Sequence, residues 1–410
     1  MNINTPENTE QLRDKMVADL RDLDAIRSDA VEKAFRAVPR HLFAPGEPLE
    51  QVYAAEKAVI TKTDSNGINI SSVSAPRIQA FMLEQAGIHP GMRVLEVGSG
   101  GYNAALIAEL VGDEGEVTSI DIDPDITDRA RRFLDEAGYE RVNVSIVDGE
   151  EGEPKHAPYD RIIVTAGTWD IPPAWTGQLA DGGRLVVPLR VRGLTRSIAF
   201  EREGDHLASR DYELCGFVQM QGAGENQLRL AVLHDEEGEE VALRLDDDQQ
   251  VDTARLREAL GRPRAEAWSG VTLGGFEPWD QLELWLATAV PDFALLAAKR
   301  PARDKGIVAT ASPMGTATLI NGASFAYRTT RPLNEERTTF ELGAIGHGPD
   351  AQETAERLVE QIRVWDRDHR TDQARFEVHP AGTPDDKLPA GRVIDKRHTR
   401  VTISWPQRQS

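Results

Sequence analysis

Three acidic residues that each close a β-type run, Glu96, Asp121 and Asp148, carry the clearest chemical signal in this 410-residue chain, together with the loop Gly98-Ser-Gly-Gly-Tyr102. Glycines at 98, 100 and 101 let the backbone turn tightly and approach a ligand, because they lack Cβ. The loop departs from Gly-x-Gly-x-x-Gly, and no Gly-Lys-Ser/Thr follows it. An acid directly before the first glycine repels a pyrophosphate and attracts a cation, so the sulfonium and amino group of S-adenosyl-L-methionine suit Glu96. Asp121 lies about twenty residues beyond the loop, where a carboxylate accepts both ribose hydroxyls. Asp148-Gly149 ends a third run and is placed for an adenine amino group. Any one of these acids reads equally well as a helix cap or turn residue. Three at consecutive strand ends point to one cofactor site.

Positioning them requires a particular scaffold. Val94, Leu95 and Val97 read as a buried parallel strand, and Ala104, Leu106, Ile107 and Leu110 follow the loop at helical spacing. Strand, glycine loop and helix open a doubly wound domain, with the helix N-terminus facing the ligand. Further strands are expected from Glu116, Val142, Arg161 and Gly183, and an antiparallel hairpin over Arg196 to Cys215. Residues 8 to 38 read as helical and 39 to 75 as loop-rich. Beyond Gln221 the pattern is α+β. A helix is expected over Val251 to Leu260 behind Asp252, another after Pro278 and a third over Asp350 to Arg367. Closing strands are expected at Arg375 to His379 and Thr399 to Trp405.

Several segments resemble the protein-L-isoaspartate O-methyltransferases over roughly residues 8 to 220. Val38-Pro-Arg-His-Leu-Phe43 matches that family's N-terminal signature, and Ser72-Val-Ser-Ala-Pro76 its Thr-Ile-Ser-x-Pro active-site segment. Tyr159 to Ala166 and Gly182 to Pro188 resemble its fourth and fifth strands. The resemblance implies an α/β fold with a Rossmann-like class I methyltransferase sheet, N-terminal helices before it and, here, a C-terminal α+β domain after it. The implied division is 1–75 (helices and active-site loop), 76–220 (cofactor-binding domain) and 221–410 (auxiliary, peptide-recognising domain). The implied cofactor set is Glu96, Gly98, Ser99, Gly100, Gly101, Tyr102, Asp121, Ile122, Asp148, Gly149 and Thr165. A carboxylate is already a nucleophile at neutral pH, so no strong base is needed. Ser74 is the candidate that donates to one carboxylate oxygen and leaves the other to attack, with Ser72 in the place of the family's threonine. Two departures flank the pocket: the glycine loop is one residue shorter than the family's, and Ala58 to Gly67 is longer.

About 190 residues continue past this core. Segments around Trp268, Trp279, Trp285 and Trp365 resemble the extended methyltransferases that accompany FxLD-type lanthipeptide clusters, with relatives among graspetide systems. That resemblance implies esterification of an aspartate in a macrocyclised ribosomal peptide, collapse to a succinimide and opening to isoaspartate. The alternatives are a general enzyme repairing isoaspartate in damaged proteins and a catalytically inactive peptide-binding scaffold. The large extension weighs against the first alternative and the intact acids and Ser74 against the second. The four tryptophans either line a peptide groove or fill a second core.

Composition sets outer limits. A net charge of −21 excludes a phosphate-backbone partner and favours a basic or neutral peptide. The single cysteine, Cys215, excludes a disulfide framework and reads as a packed, reduced thiol. The polar N-terminus and the lack of any apolar run of membrane length predict a cytoplasmic protein. The nine histidines form no zinc-type pair on one helix, so no metal is expected. Asp246-Asp-Asp248 reads as a solvated turn, Lys62 as a loop lysine within reach of an acidic substrate, and His41 as a packing residue.

Overall fold

A computed structural model describes residues 6–406 except 66, 247, 248, 311 and 313. A ten-stranded mixed sheet dominates the first domain. The middle strand of its parallel part is Arg93–Val97, parallel to Glu116–Asp121 on one side and Tyr159–Val164 on the other. Asn143–Ile146 extends it one way, and Leu179–Val191, Leu194–Glu203 and His206–Leu214 the other. Arg93–Val97, Glu116–Asp121 and Tyr159–Val164 are buried over most of their length because both faces are covered. Helices Tyr102–Val111 and Pro76–Ala86 and the N-terminal helices Pro6–Asp22 and Asp29–Ala37 build one core. Trp175, Phe200 and Phe376 belong to the core on the opposite face.

Two features of chain organisation differ from the sequence reading. Residues 375–404 had been grouped with the second domain, but they return to the first. Arg375–Pro380 pairs with His206–Leu214, and Thr399–Ser404 and Arg392–Asp395 follow it outward. Strand periodicity shows which side chains share a face and does not encode which sheet a strand joins. The loop-rich stretch 39–75 contains an antiparallel hairpin, Val59–Thr63 with Asn69–Val73. Alternating Ile60, Lys62, Ile70 and Ser72 against Val59, Thr61, Ser71 and Val73 supports those strands, so the extra length relative to the family forms a hairpin arm.

The second domain is a seven-stranded antiparallel sheet with helix Ala351–Val364 across one face and helices Thr253–Leu260 and Asp280–Ala289 beside it. The three helices fall where the hydrophobic spacing predicts, and Asp252 caps the first through Arg255 N–H at 3.1 Å. Strands Ala265–Gly274, Phe293–Ala298, Ala317–Asn321 and Ser324–Pro332 escaped the sequence reading. A short run such as Phe293-Ala-Leu-Leu-Ala-Ala298 does not distinguish strand from buried helix by period. Trp365 is 2 % exposed in this domain's core, and Trp285 gives its indole N–H to the Gln361 carbonyl. Trp268 lies under the Arg331 guanidinium, leaving Trp279, 45 % exposed, as the tryptophan that faces a cleft. Cys215 is buried, and burial pushes its thiol up to about 12. Asp246 pairs with Arg192, while Asp247 and Asp248 lie outside the described residues, as does Asn66. Among the described residues no helix is long and apolar enough to cross a membrane.

Candidate active site

The glycine loop is pinned from two sides. Gly98 has φ 103°, and a Cβ there would lie 2.5 Å from Thr165 Oγ1, which instead donates to the Gly98 carbonyl at 2.8 Å. Gly101, at φ 83°, lies so close to the Phe43 ring that a Cβ would meet it at 3.0 Å. Side-chain-bearing residues are excluded at both positions by backbone conformation and by space. The loop then runs into helix Tyr102–Val111, whose first turn leaves its N–H groups unpaired.

The acids take up distinct environments. Asp121 is held in the cleft by Ser99 N–H on Oδ2 and Asp123 N–H on Oδ1, both at 3.0 Å, and partial burial raises its pKa. Glu96 has no exposed surface and accepts from Asn103 Nδ2 at 2.9 Å and Ser119 Oγ at 2.5 Å. Burial pushes its carboxyl up to about 7, against the lowering effect of both hydrogen bonds. A carboxyl poised at neutrality beside a cleft ionises when a cation arrives.

Asp148 is engaged by neighbouring backbone. Its carboxylate accepts from Glu150 N–H at 3.0 Å and Ala223 N–H at 2.9 Å, capping a short 3₁₀ turn and fastening the 222–224 turn. It is absent from the cleft wall, which Gly149 lines in its place. Gly101 is likewise behind the wall, against Phe43. The other expected cofactor residues, Glu96, Gly98, Ser99, Gly100, Tyr102, Asp121, Ile122 and Thr165, all line one cleft. Ser99 Oγ sits there 2 % exposed with no hydrogen-bond partner. A buried orphan hydroxyl in a cleft is what a bound polar ligand satisfies. Acids for a sulfonium, an ammonium and a ribose, with that hydroxyl between them, fit S-adenosyl-L-methionine.

Ser72 and Ser74 line the same cleft. Both are half-buried, and neither hydroxyl has a protein partner among the described residues. Ser72 lies on the hairpin strand Asn69–Val73, and Pro76 starts the next helix as expected. The hairpin is fastened to helix Pro124–Glu136, which follows Asp121. Lys62 pairs with Asp123 at 2.5 Å and Asp125 at 2.9 Å, and Arg129 donates to Thr61 Oγ1 at 3.0 Å. Lys62 is therefore a brace for the hairpin and not a free cation awaiting substrate.

Arg40 is a residue that motif reading passed over. It has no exposed surface and lies under the Tyr102 ring, 4.7 Å from its centroid. It donates to the carbonyls of Val52 at 2.8 Å and Ser74 at 2.7 Å and to Gln79 Oε1 at 2.8 Å. An arginine between Pro39 and His41 in the Val38–Phe43 signature was the available signal. The neighbouring His41 packs, with Nδ1 2.8 Å from the Tyr53 hydroxyl. The segment 218–221 also lines the cleft, held by Gly167 through paired backbone bonds at 2.7 and 3.0 Å, and carries no motif at all.

A second cleft opens between the two domains. Gln219 lines both clefts, so they adjoin. Trp279, with Arg328 over its ring at 4.3 Å, forms one wall. Arg196, 1 % exposed, lines the other with its Nε lacking a partner.

Comparison with known proteins agrees with this geometry. The profile of the family described as protein-L-isoaspartate(D-aspartate) O-methyltransferase matches residues 10–225. A protein-L-isoaspartate O-methyltransferase of Methanopyrus kandleri is 38 % identical over 213 residues, which are 51 % of this chain and 91 % of that one. That of Hyperthermus butylicus is 42 % identical over 207 residues, 48 % of this chain and 83 % of its own. A solved structure bearing the same enzyme name superposes with a TM-score of 0.50 at 22 % identity, covering 89 % of this chain and 96 % of that one. Coverage that wide takes in the second domain, so the extension belongs to a fold shared with a protein of that name.

Proposed function

The chain belongs to the protein-L-isoaspartate O-methyltransferase family, and from that premise we propose that it esterifies the free α-carboxylate of isoaspartyl residues in polypeptides, with S-adenosyl-L-methionine as cofactor. The observation that carries this reading is the single cleft shared by the Glu96–Asp121 pair and the two unengaged hydroxyls of Ser72 and Ser74. Asp121 and Ser99 would hold the polar parts of the cofactor and Glu96 would face its positive charge. The bound cofactor supplies a methyl group already activated by its sulfonium. The chain's own contribution is positional: Ser74 donates to one oxygen of the acceptor carboxylate and aligns the other, while Arg40 holds the Ser74 backbone. Once the ester exists, the following backbone N–H attacks it, methanol leaves and a five-membered imide forms. This closure is intramolecular and carries its own high effective molarity.

The narrower alternative is a dedicated substrate, a macrocyclised ribosomal peptide carrying an ordinary aspartate. It draws support from the interdomain cleft that adjoins the methyl-transfer cleft at Gln219. The extension itself does not favour it, since the likeness to a structure named for isoaspartate methylation spans the second domain. Cytoplasmic action accords with either reading and with the buried, unpaired Cys215.

The deciding experiment offers the purified enzyme, with cofactor, three acceptors of one sequence: linear isoaspartyl, linear aspartyl and macrocyclic aspartyl. Mass spectrometry of the methyl ester should show the isoaspartyl peptide modified at least tenfold faster than the others. Modification confined to the macrocycle would replace this reading with the tailoring one. Trp279→Ser should raise KM for the polypeptide and leave cofactor affinity unchanged if the second cleft takes the flanking chain.

A further inference from the structure

Away from both clefts, the last strands of the chain rejoin the first domain through a short seam. Arg375–Pro380 meets His206–Leu214 in only two residue pairs, Glu377 with Ala208 and Val378 with Leu207. Extending that antiparallel register places His379 across from His206, and side-chain alternation puts Glu377 on the same face. The two imidazoles stack with centroids 4.6 Å apart and planes 16° from parallel. Both Nε2 atoms converge on one oxygen, Glu377 Oε2, at 3.5 Å from His206 and 3.4 Å from His379. The other oxygen, Oε1, accepts from Arg375 Nε at 2.9 Å. The three side chains are sheltered, at 20, 14 and 7 % exposure for His206, Glu377 and His379.

These separations are long for N–H···O hydrogen bonds, which cluster at about 2.7–3.2 Å. The two nitrogen–oxygen separations match edges of a coordination tetrahedron, because ligands each about 2.0–2.1 Å from one zinc ion stand about 3.4 Å apart, and the stacked rings need only turn about their Cβ–Cγ bonds to aim both Nε2 lone pairs at one ion. All three ligand atoms lie within 4.8 Å of one another. Ala208, which faces Glu377 across the seam, is too small to reach between them. Two imidazoles with one carboxylate form a donor set suited to zinc and poorly suited to calcium or magnesium, which take oxygen ligands.

We propose that His206 Nε2, Glu377 Oε2 and His379 Nε2 bind one Zn²⁺, with water in the fourth position, and that the ion clamps the returning strand to the methyltransferase sheet. Arg375 orients the carboxylate by donating to its other oxygen. The clamp reinforces a seam of two residue pairs at the point where the chain, having built the second domain, comes back to the first.

The test uses the full-length chain, stripped of metal, titrated with Zn²⁺ against a chromophoric chelator and with Co²⁺ by visible absorption. One Zn²⁺ per chain should bind, and Co²⁺ should give the intense bands of tetrahedral coordination. His206→Gln and His379→Gln should each weaken Zn²⁺ binding by at least about tenfold. Zinc should raise the melting temperature of the native chain and not that of His206→Gln, whose ring lies nearest solvent and whose replacement disturbs the core least. His234→Gln is the control, because His234, Glu236 and Glu239 form the other such cluster among the described residues. It should bind zinc as the native chain does. No zinc uptake, undiminished uptake in His206→Gln, or loss in His234→Gln alone would each overturn the assignment.

Discussion

The Arg40 guanidinium and the Ser74 carbonyl meet at 2.7 Å, joining the N-terminal signature to the segment proposed to hold the acceptor carboxylate. Because Arg40 is fully buried and also serves Val52 and Gln79, its removal leaves several buried acceptors without donors. Arg40→Ala should destabilise the fold by about 2–4 kcal/mol in urea unfolding. Arg40→Lys retains the charge but not the fork, and should lower kcat more than it changes cofactor affinity. Native turnover in the lysine variant would show that the fork does not position Ser74.

Ser74→Ala removes the hydroxyl proposed to donate to a charged acceptor. A hydrogen bond of that kind contributes about 1.5–3 kcal/mol, so turnover should fall roughly 10- to 100-fold while calorimetry finds cofactor binding unchanged. Ser72→Ala, two residues earlier on the strand Asn69–Val73 and also unengaged, should give a smaller loss. Equal activity in Ser74→Ala would remove it from the site.

Asp121→Asn keeps the shape of a side chain that two backbone N–H groups already hold, yet deletes its charge. Cofactor affinity should drop about tenfold or more, since charged acceptors bind hydroxyls more strongly than neutral ones. Asp148→Asn should instead loosen the 222–224 turn through Ala223 and affect cofactor affinity only modestly. The reverse ranking would restore Asp148 as a direct ligand.

Glu96 should make cofactor binding depend on pH. Its carboxyl is raised by burial to about 7 in the folded chain from an ordinary value of 4.5. The folded state therefore holds this proton more tightly, so the group's contribution to stability is complete below about pH 4.5 and is lost as pH rises through about 7. Glu96→Gln cannot ionise, so relative to the native protein it should gain stability between pH 5 and pH 8, by up to about 3 kcal/mol. A cation bound beside Glu96 favours the ionised form, so cofactor affinity should rise with pH through neutrality. Calorimetry in buffers of different ionisation enthalpy should detect about half a proton released per site at pH 7. A flat profile with no proton release would detach Glu96 from the cofactor's charge.

Much of the site was readable from local residue order, because the constraints involved act over a few positions. Gly98 is required by a positive φ and a close neighbour, Asp121 by its place at a strand end, and Pro76 by its fit to a first helical turn. Their partners were not readable in the same way. Asn103 and Ser119 reach Glu96 from 7 and 23 residues away, and Arg40 reaches Ser74 across 34. Each of those contacts joins different elements, so no single helical or strand period encodes it.

By itself, then, the order of residues determined the strand–loop–helix unit, the acids at its strand ends, the serines beside it and the family to which the chain belongs. Stereochemistry and apolar periodicity write these locally. Tertiary structure alone decided that Asp148 caps a turn, that Lys62 braces a hairpin, and that the strands after residue 374 close the first sheet instead of the second. These outcomes depend on which surfaces meet once the chain has folded, and a side chain's partner is then chosen by distance in space, not by distance along the chain.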